Sequence, residues 1–225
     1  MAPEKGASSN KLIRRANQSD MEALLYICRE SFSDSLRWQS PRSLGRKWWD
    51  ATLTSSSSET WVCLKNGEIA GFSVLIIDEN EDVKISRQRN GSFIDRFFAV
   101  VTHPKLTFFR IQKKIGVLMA IAENQSVPKV AHSRIDENPV WLGLIAVSPC
   151  MRGQGLAKQM LYFCADRTFQ LSRHVIKLRV DSDNIPGRSL YERVGFICTS
   201  QKFIDCIYTR VVSQQDQQNS SGQSR

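Results

Sequence analysis

The stretch LIAVSPCMRGQGLAKQML, residues 144–161, joins the end of an apolar run to the start of a helix-like run. Arg152, Gly153 and Gly155 lie between the two runs. A strand, a glycine-containing turn and a helix N-terminus together form an anion site, because the first helical turn carries unpaired N–H groups and a partial positive charge. Glycine lets a ligand approach the backbone, and Arg152 can add a charge-assisted contact to phosphate. The stretch therefore predicts a phosphate-binding turn.

The spacing of the glycines excludes two common nucleotide-binding motifs. A Walker A loop requires GxxxxGK[ST], which the chain lacks. A dinucleotide fingerprint requires GxGxxG early in a βαβ unit. Here the second glycine is followed by Leu156 and Ala157, and the stretch lies well past the middle of the chain. The turn therefore binds another kind of phosphorylated ligand.

Composition sets wider limits. The chain has 225 residues, 31 of them Lys or Arg and 22 Asp or Glu, so the net charge is 31 − 22 = +9. This length fits one domain of generous size or one domain with an insertion, and the positive charge implies an anionic partner. Nucleic acid, an acidic membrane surface and a phosphorylated small molecule all remain open at this point. With no apolar run long enough to span a membrane and no signal-like start, we expect a cytoplasmic protein without transmembrane segments.

Cysteine and histidine do not predict a metal site. The six cysteines show no CxxC pair and no zinc-like spacing, and we expect structural thiols. Cys150 adjoins the glycine turn, but no histidine lies near it in the sequence to activate a nucleophile. His103, His132 and His174 are dispersed, so we expect no bound metal.

The N-terminal half predicts a strand, two helices and a hairpin. A strand in KLIRRANQSD leads to a helix that we expect Ser19 to cap, with Glu22 completing a capping box. The helix carries an apolar stripe, and a second helix is predicted over Leu44 to Leu53. Two β-rich runs flank Asn66-Gly67, which indicates a tight hairpin.

Residues 83–126 break this rhythm with helical spacing and many basic side chains, and predict a helical insertion. Its basic face has three possible roles: a solvated surface, an acceptor-site wall that meets phosphate, or a peripheral membrane contact. The polar ends, residues 1–10 and 213–225, are expected to be disordered tails.

The C-terminal half predicts alternating strands and helices. The run VWLGLIAV at 140–147 indicates a central, fully buried strand, and the glycine turn and a helix follow it. A further strand, a short helix with Pro186 near its start and Gly195 at its end, and two late strands complete the chain. The order β-α-α-β-β-insertion-β-α-β-α-β-β indicates an α/β fold.

Two motifs in this order carry a family resemblance. Arg152-x-x-Gly155-x-Ala157 matches the acyl-CoA signature [RQ]-x-x-G-x-[GA]. The later segment DNIPGRSLYERVGF matches an N-x(5)-L-Y-x(3)-G-F element through Asn184, Leu190, Tyr191, Gly195 and Phe196. On these motifs the chain resembles the GCN5-related N-acetyltransferase (GNAT) family over roughly residues 11–212. The resemblance implies a mixed, mostly antiparallel central sheet flanked by helices, with the helical insertion before the central strand.

The resemblance also implies a site. The donor would be acetyl-CoA, with its pyrophosphate on the backbone of the turn and its pantetheine arm paired with the preceding strand. Tyr191 would protonate the departing thiolate, since a phenol stays protonated at neutral pH. Glu137 is the candidate general base, with Asp136 and His132 nearby as rivals. The residues implied to hold the cofactor are Ile145, Ala146, Val147, Arg152, Gly153, Gln154, Gly155, Leu156, Ala157 and Asn184.

Each of these side chains also has a purely structural interpretation. Tyr191 could be a core aromatic, Asn184 a loop cap and Glu137 a solvated loop residue. The motif context favours the catalytic role for Tyr191. The resemblance implies direct acetyl transfer without a covalent enzyme intermediate.

The acceptor is the least determined part of the prediction. The insertion resembles members of the family that acylate amino sugars, often nucleotide-linked, in bacterial polysaccharide biosynthesis. A basic aromatic wall could hold a sugar nucleotide by ion pairing and stacking. A peptide, protein or other small amine is the alternative acceptor. A non-catalytic module that binds nucleic acid or an anionic surface is the alternative of another class, and the intact Tyr191 and turn argue against it. Oligomeric state is not predicted.

Overall fold

The computed structural model describes residues 12–39, 44–78, 138–201 and 205–213. The strands are β1 (Leu12–Arg15), β2 (Ser58–Lys65), β3 (Glu68–Ile76), β4 (Val140–Val147), β5 (Val175–Asp181), β6 (Ile197–Gln201) and β7 (Asp205–Val211). The α-helices are α1 (Met21–Ser31), α2 (Leu36–Gln39), α3 (Leu44–Leu53), α4 (Leu156–Gln170) and α5 (Ile185–Arg193).

The seven strands form one sheet in the order β1-β2-β3-β4-β5-β7-β6. All neighbouring strands are antiparallel except β4 and β5, which are parallel. A parallel pair needs a crossover, and α4 supplies it between β4 and β5. The predicted mixed, mostly antiparallel α/β sheet is confirmed.

The parallel pair is short. Pairing between β4 and β5 covers Val140–Leu142 opposite Ile176–Leu178 and then ends. Strand β4 nevertheless continues along β3 to Val147, and β5 continues along β7 to Asp181. The two strands therefore part beyond Leu142 and leave a wedge-shaped opening in the middle of the sheet.

This opening corrects one expectation from the sequence. The run at 140–147 is a central strand, as predicted, but it is not fully buried: Gly143 is exposed and Ile145 is half-buried. The apolar run reflects burial of the two sheet faces. Among the described residues, no strand pairs with the edge of β4 that turns toward β5 beyond Leu142.

Helices pack on both faces of the sheet. Neighbouring strand residues point to opposite faces, so Val62 packs with α1 and α3 while Cys63 packs with α4. Ala146 and Val147 divide in the same way between the two layers. The sheet is thus the middle of three layers, and the end of β4 is held from both sides.

An aromatic cluster forms the core of the α1–α3 layer. Trp49 is fully buried and meets Trp48 and Phe72 edge-on, with ring centroids 4.8 and 5.1 Å apart. Trp38, from α2, packs edge-on against Trp48 at 5.3 Å. Because aromatic rings bury large apolar areas, this cluster fixes α2 and α3 on the sheet.

Of two local predictions, the hairpin turn is confirmed and the helix cap is wrong. The hairpin between β2 and β3 turns at Asn66 and Gly67, both with positive φ, as predicted. The first helix, however, is not capped by Ser19 and Glu22. Asn17 and Asp20 form the capping box, on a 3-10 turn that precedes α1. The Ser19 amide and hydroxyl both donate to Asn17 Oδ1, because Asn17 occupies the cap position.

Several predictions fall on residues that the structure does not describe. They are the insertion at 83–126, the tails apart from Ser213, and the candidate bases His132, Asp136 and Glu137. No helix among the described residues is long and apolar enough to cross a membrane.

Candidate active site

The glycine turn lies between the end of β4 and the start of α4. A short 3-10 turn at Pro149–Met151 follows β4, and Gly153 and Gly155 adopt φ values of 77° and 74°. This left-handed region is costly for residues with a Cβ. A Cβ added to either glycine would meet no heavy atom within 4 Å in the part of the chain that the structure describes. Both positions therefore require glycine for their conformation, and both border open space, as a binding site requires. We refer to the turn and the helix start, residues 152–157, as the cradle.

Helix α4, which follows the glycine turn, is anchored in the core. Leu156, its first residue, is 1% exposed, and Met160 is fully buried one turn later. The four residues before Leu156 are exposed. No side chain caps the N-terminus of α4, where Gly155 is the N-cap residue. The N–H groups of the first turn are thus held firmly and face the open space beside the glycines.

The Arg152 side chain turns back toward the protein. Its Nε donates to the Val147 carbonyl at 3.2 Å, and its Nη2 donates to Ser31 Oγ at 3.1 Å. Ser31 is the last residue of α1, and its hydroxyl also donates to the Val147 carbonyl at 3.5 Å. Arg152 thus joins the turn to the ends of β4 and α1. Sequence spacing gave no signal for Ser31, which is 121 positions away.

A second cation approaches the turn from the β2–β3 hairpin. Lys65 Nζ donates to Gln154 Oε1, between the two glycines. Lys158, in the first turn of α4, lies over the Tyr162 ring at 5.7 Å. Residues 148–158 contain no acidic side chain. The rim of the cradle is therefore positively charged, and Lys65 is a part of it that sequence reasoning missed.

The strand residues implied to bind the donor lie at the wedge. Ile145 is half-buried, while Ala146 and Val147 are 7% and 8% exposed, with their side chains packed into the core. Their side chains are therefore not the parts offered to a ligand. On the side of β5, the β4 backbone beyond Leu142 is unpaired within the described ranges, and its hydrogen-bonding groups suit an extended ligand.

Asn184 acts as a helix cap. It is the N-cap residue of α5, and its Oδ1 accepts from the Gly187 amide at 3.0 Å. The alternative structural role considered for this side chain is therefore present. A contact to a cofactor stays a prediction, since the exposed side-chain amide N–H groups remain available for one.

Tyr191 lies in the core cluster that contains Leu142 and Leu178, the last paired residues before the wedge. It is 9% exposed and packs against Phe196 and Tyr208, with ring centroids 6.0 and 6.1 Å apart. Burial raises the pKa of its phenol to about 12. Among the described residues its hydroxyl has no hydrogen-bond partner, so it donates its proton to no other side chain there.

The cysteines occupy mostly core positions. All six are thiols, four of them buried, and burial raises the pKa of Cys164 to about 12. Cys150 is exposed beside the turn, where its Sγ lies 3.2 Å from Ser148 Oγ. No group of three His, Cys, Asp or Glu side chains that could hold a metal occurs in the described part of the chain.

Residues 90–196 match the model of the "Acetyltransferase (GNAT) family". That range contains the glycine turn, α4, α5 and Tyr191. No curated protein sequence matches the chain.

Solved structures share the fold at low sequence identity. PaiA N-acetyltransferase from Thermoplasma acidophilum, in complex with coenzyme A, matches with a TM-score of 0.52 at 13% identity, over 90% of this chain and 99% of that one. The ribosomal-protein-S18-alanine N-acetyltransferase from Escherichia coli matches with 0.54 at 14%, over 91% and 95%. Arabidopsis thaliana NAA60, in complex with acetyl-CoA, matches with 0.55 at 15%, over 90% and 99%. At these identities the similarity establishes the fold.

Proposed function

Because the chain belongs to the GNAT family of acetyltransferases, we propose that it transfers an acetyl group from acetyl-CoA to a primary amine by direct attack. The observation that carries the proposal is the cradle beside the wedge. Two positive-φ glycines border open space at the N-terminus of α4, next to the uncovered edge of β4. PaiA and NAA60, which share the fold, are crystallised with coenzyme A and acetyl-CoA.

The cradle suits the phosphate end of the donor. Backbone N–H groups from Gly153 to Ala157 would bind the pyrophosphate, since a helix N-terminus favours anions. Gln154 would contribute its backbone, because its side chain is bonded to Lys65. The positively charged rim adds attraction for the same group.

The wedge suits the rest of the donor. The pantetheine arm is extended and carries amides, so it would pair with Ile145 to Val147 as an added strand. One N–H group of this edge would polarise the thioester carbonyl and stabilise the negative charge that develops on its oxygen. The split of the sheet after Leu142 makes that edge available.

Tyr191 would act as the general acid. Its helix, α5, ends beside the core that closes the narrow end of the wedge. A phenol with a raised pKa keeps its proton at neutral pH and can give it to the departing thiolate. The amine must be neutral when it attacks, and Glu137 is the proposed base that keeps it so.

For the acceptor we propose an amino sugar, either free or as a nucleotide conjugate, as the sequence of the insertion at 83–126 suggested. The protein's net charge of +9 favours an anionic acceptor. A peptide α-amine is the second candidate. It is favoured by the shared fold of the ribosomal-protein-S18-alanine N-acetyltransferase. The scattered cysteines, which form no CxxC pair and no zinc-like spacing, support a reducing, cytoplasmic location.

A thermal melt tests the donor. Acetyl-CoA at about 100 times its Kd should add roughly 2.7 kcal/mol of stability, which is about 5–10 °C for a chain of this size. NAD and ATP at the same concentration are the controls. A shift with acetyl-CoA alone supports the cradle, whereas no shift at saturating acetyl-CoA would separate the turn from CoA chemistry.

An amine panel then tests the acceptor. It contains a nucleotide-linked amino sugar, the free amino sugar and a short peptide with a free α-amine. Release of CoA thiol is the readout. Turnover with the peptide and none with the sugars would replace the amino-sugar proposal.

A further inference from the structure

The direction of the Arg152 side chain has a consequence for how the cradle works. Its guanidinium donates to the Val147 carbonyl and to Ser31 Oγ, at 3.2 and 3.1 Å. A guanidinium is planar with donors in fixed directions, so two such contacts define its orientation. Arg152 therefore connects the turn to the last residue of β4 and the last residue of α1.

Val147 is already held on its other sides. The amide of Ser148, the next residue, donates to the Ala70 carbonyl of β3 at 2.8 Å, and the Val147 side chain is 8% exposed. The Arg152 and Ser31 contacts complete the fixation from the side of the turn. The end of β4 and the start of α4 are the two surfaces that the donor must contact together.

We propose that Arg152 and Ser31 are positioning residues that hold the β4 edge in register with the phosphate-binding turn. The inference rests on the proposed use of acetyl-CoA. Its substance is that the Arg152 side chain acts on the thioester end of the donor through Val147. A phosphate contact of the same side chain would act only on the nucleotide end.

Lys65 is the side chain that we expect to contact the donor's phosphates. Its hydrogen bond within the described residues is to the neutral side-chain amide of Gln154, and Lys65 forms no ion pair with a carboxylate there. The Lys65 side chain comes from the β2–β3 hairpin and reaches the turn, and in the described part of the chain it donates no hydrogen bond to Val147. It can meet a phosphate without altering β4, which makes Lys65→Gln the matched control.

The test compares two acetyl donors, acetyl-CoA and acetyl-pantetheine, which lacks all phosphates. Arg152→Gln and Ser31→Ala should each lower kcat/KM about tenfold with both donors. The first variant loses the hydrogen bonds of the guanidinium to Val147 and Ser31, and the second loses the hydroxyl that accepts from this charged group. Ser31→Thr keeps the hydroxyl and should restore most of the activity. Lys65→Gln should lower kcat/KM with acetyl-CoA and leave acetyl-pantetheine unaffected.

A second readout uses acetyl-CoA alone. A positioning role predicts that Arg152→Gln lowers kcat, and that the Arg152→Gln/Ser31→Ala double variant loses less than the product of the two single losses. Melting temperatures of all variants confirm that they are folded. An Arg152→Gln variant with raised KM, unchanged kcat and normal acetyl-pantetheine turnover overturns the inference and makes Arg152 a phosphate contact.

The same experiment separates this inference from the function on which it rests. A wild-type chain that transfers acetyl from neither donor to any amine overturns the proposed function, and the positioning role with it. A wild-type chain that uses both donors, while Arg152 and Ser31 variants match it, overturns the positioning role alone.

Discussion

At the scale of single residues, the burial of Tyr191 determines its chemistry. The ring is 9% exposed among apolar neighbours, and this burial raises the pKa of the phenol to about 12. Loss of the proton is therefore harder in the folded chain than in the unfolded one. The phenol can donate a proton in the reaction and recover it afterwards across the whole physiological pH range.

The first prediction concerns this hydroxyl. Tyr191→Phe should lower kcat about 10²–10⁴-fold, the usual range for a lost general acid, and leave the Kd for acetyl-CoA within a factor of about two. Stability should change by less than about 1 kcal/mol, since the hydroxyl has no partner among the described residues. Rapid-mix kinetics and calorimetry measure the two quantities. Unchanged turnover would move the general acid elsewhere.

The same pKa fixes a pH dependence. The folded-state pKa lies above the ordinary value of 10.0, so stability from the neutral phenol is complete below pH 10 and is lost as the pH rises toward 12. We expect no loss of kcat from this group below about pH 10. A basic limb centred near neutral pH that disappears in Tyr191→Phe would contradict this assignment.

Gly155 supports a second prediction. Gly155→Ala should cost about 1–2 kcal/mol through its φ of 74° and should weaken acetyl-CoA binding by at least about tenfold. The added Cβ meets no heavy atom of the described residues within 4 Å, so a loss of binding reports a clash with the ligand. Gly67→Ala, with a φ of 83° and equally open surroundings, is the control for strain. Equal loss of affinity in both variants would refute the cradle.

At the scale of secondary-structure elements, the buried carboxylate of Glu59 connects β1, β2 and α4. Glu59 of β2 is 4% exposed and accepts from Arg167 of α4 at 2.7 and 2.8 Å. It also accepts from Arg15 of β1 and from Trp61, each at 3.0 Å. Burial by itself raises the pKa of Glu59. The hydrogen bonds and charges of Arg167, with Trp61 and Arg15, more than offset this and bring its pKa below the ordinary value.

The third prediction follows from this network. Glu59→Gln should lower the free energy of unfolding by about 2–3 kcal/mol, because Arg167 loses its charged partner. The wild-type contribution should be complete above pH 4.5 and should be lost as the pH falls through the lowered pKa. Urea titrations at pH 7 and pH 3.5 measure both effects. Glu22→Gln removes an exposed pair with Arg46 and should cost about 0–1 kcal/mol; a similar loss in both variants would refute the role of burial.

Elements with strong local signals were predictable from the sequence. Helix α4 runs from Leu156 to Gln170, the stretch after the glycine turn that the sequence predicted to be helical. The four-residue helix α2 was missed because it is shorter than any reliable period. The cap at Asn17 was missed because a 3-10 turn shifts the capping box ahead of α1. The motif located the cradle, but its contacts with Ser31 and Lys65 depend on tertiary packing that spacing does not encode.

At the scale of the whole molecule, the sheet consists of two blocks with a narrow connection. Strands β1–β4 form one antiparallel block and β5–β7 the other, and three residue pairs join β4 to β5. Helix α4 connects the blocks covalently and packs on both. A donor lying along β4 would add hydrogen bonds where the blocks separate. Binding should therefore change local stability at the wedge more than at the sheet edges.

Amide hydrogen exchange tests this expectation. Acetyl-CoA at about 100 times its Kd should slow exchange in peptides covering 143–147 and 153–158 by up to about 100-fold, because exchange must await dissociation. Peptides from β6 and β7, on the far side of the second block, should exchange at the same rate with and without donor. Desulfo-CoA, which keeps the phosphates and pantetheine, should reproduce the pattern, whereas 3′,5′-ADP should protect 153–158 alone. Protection by acetyl-CoA that is confined to 153–158 would show that the donor is held by its phosphates and does not lie along the edge of β4.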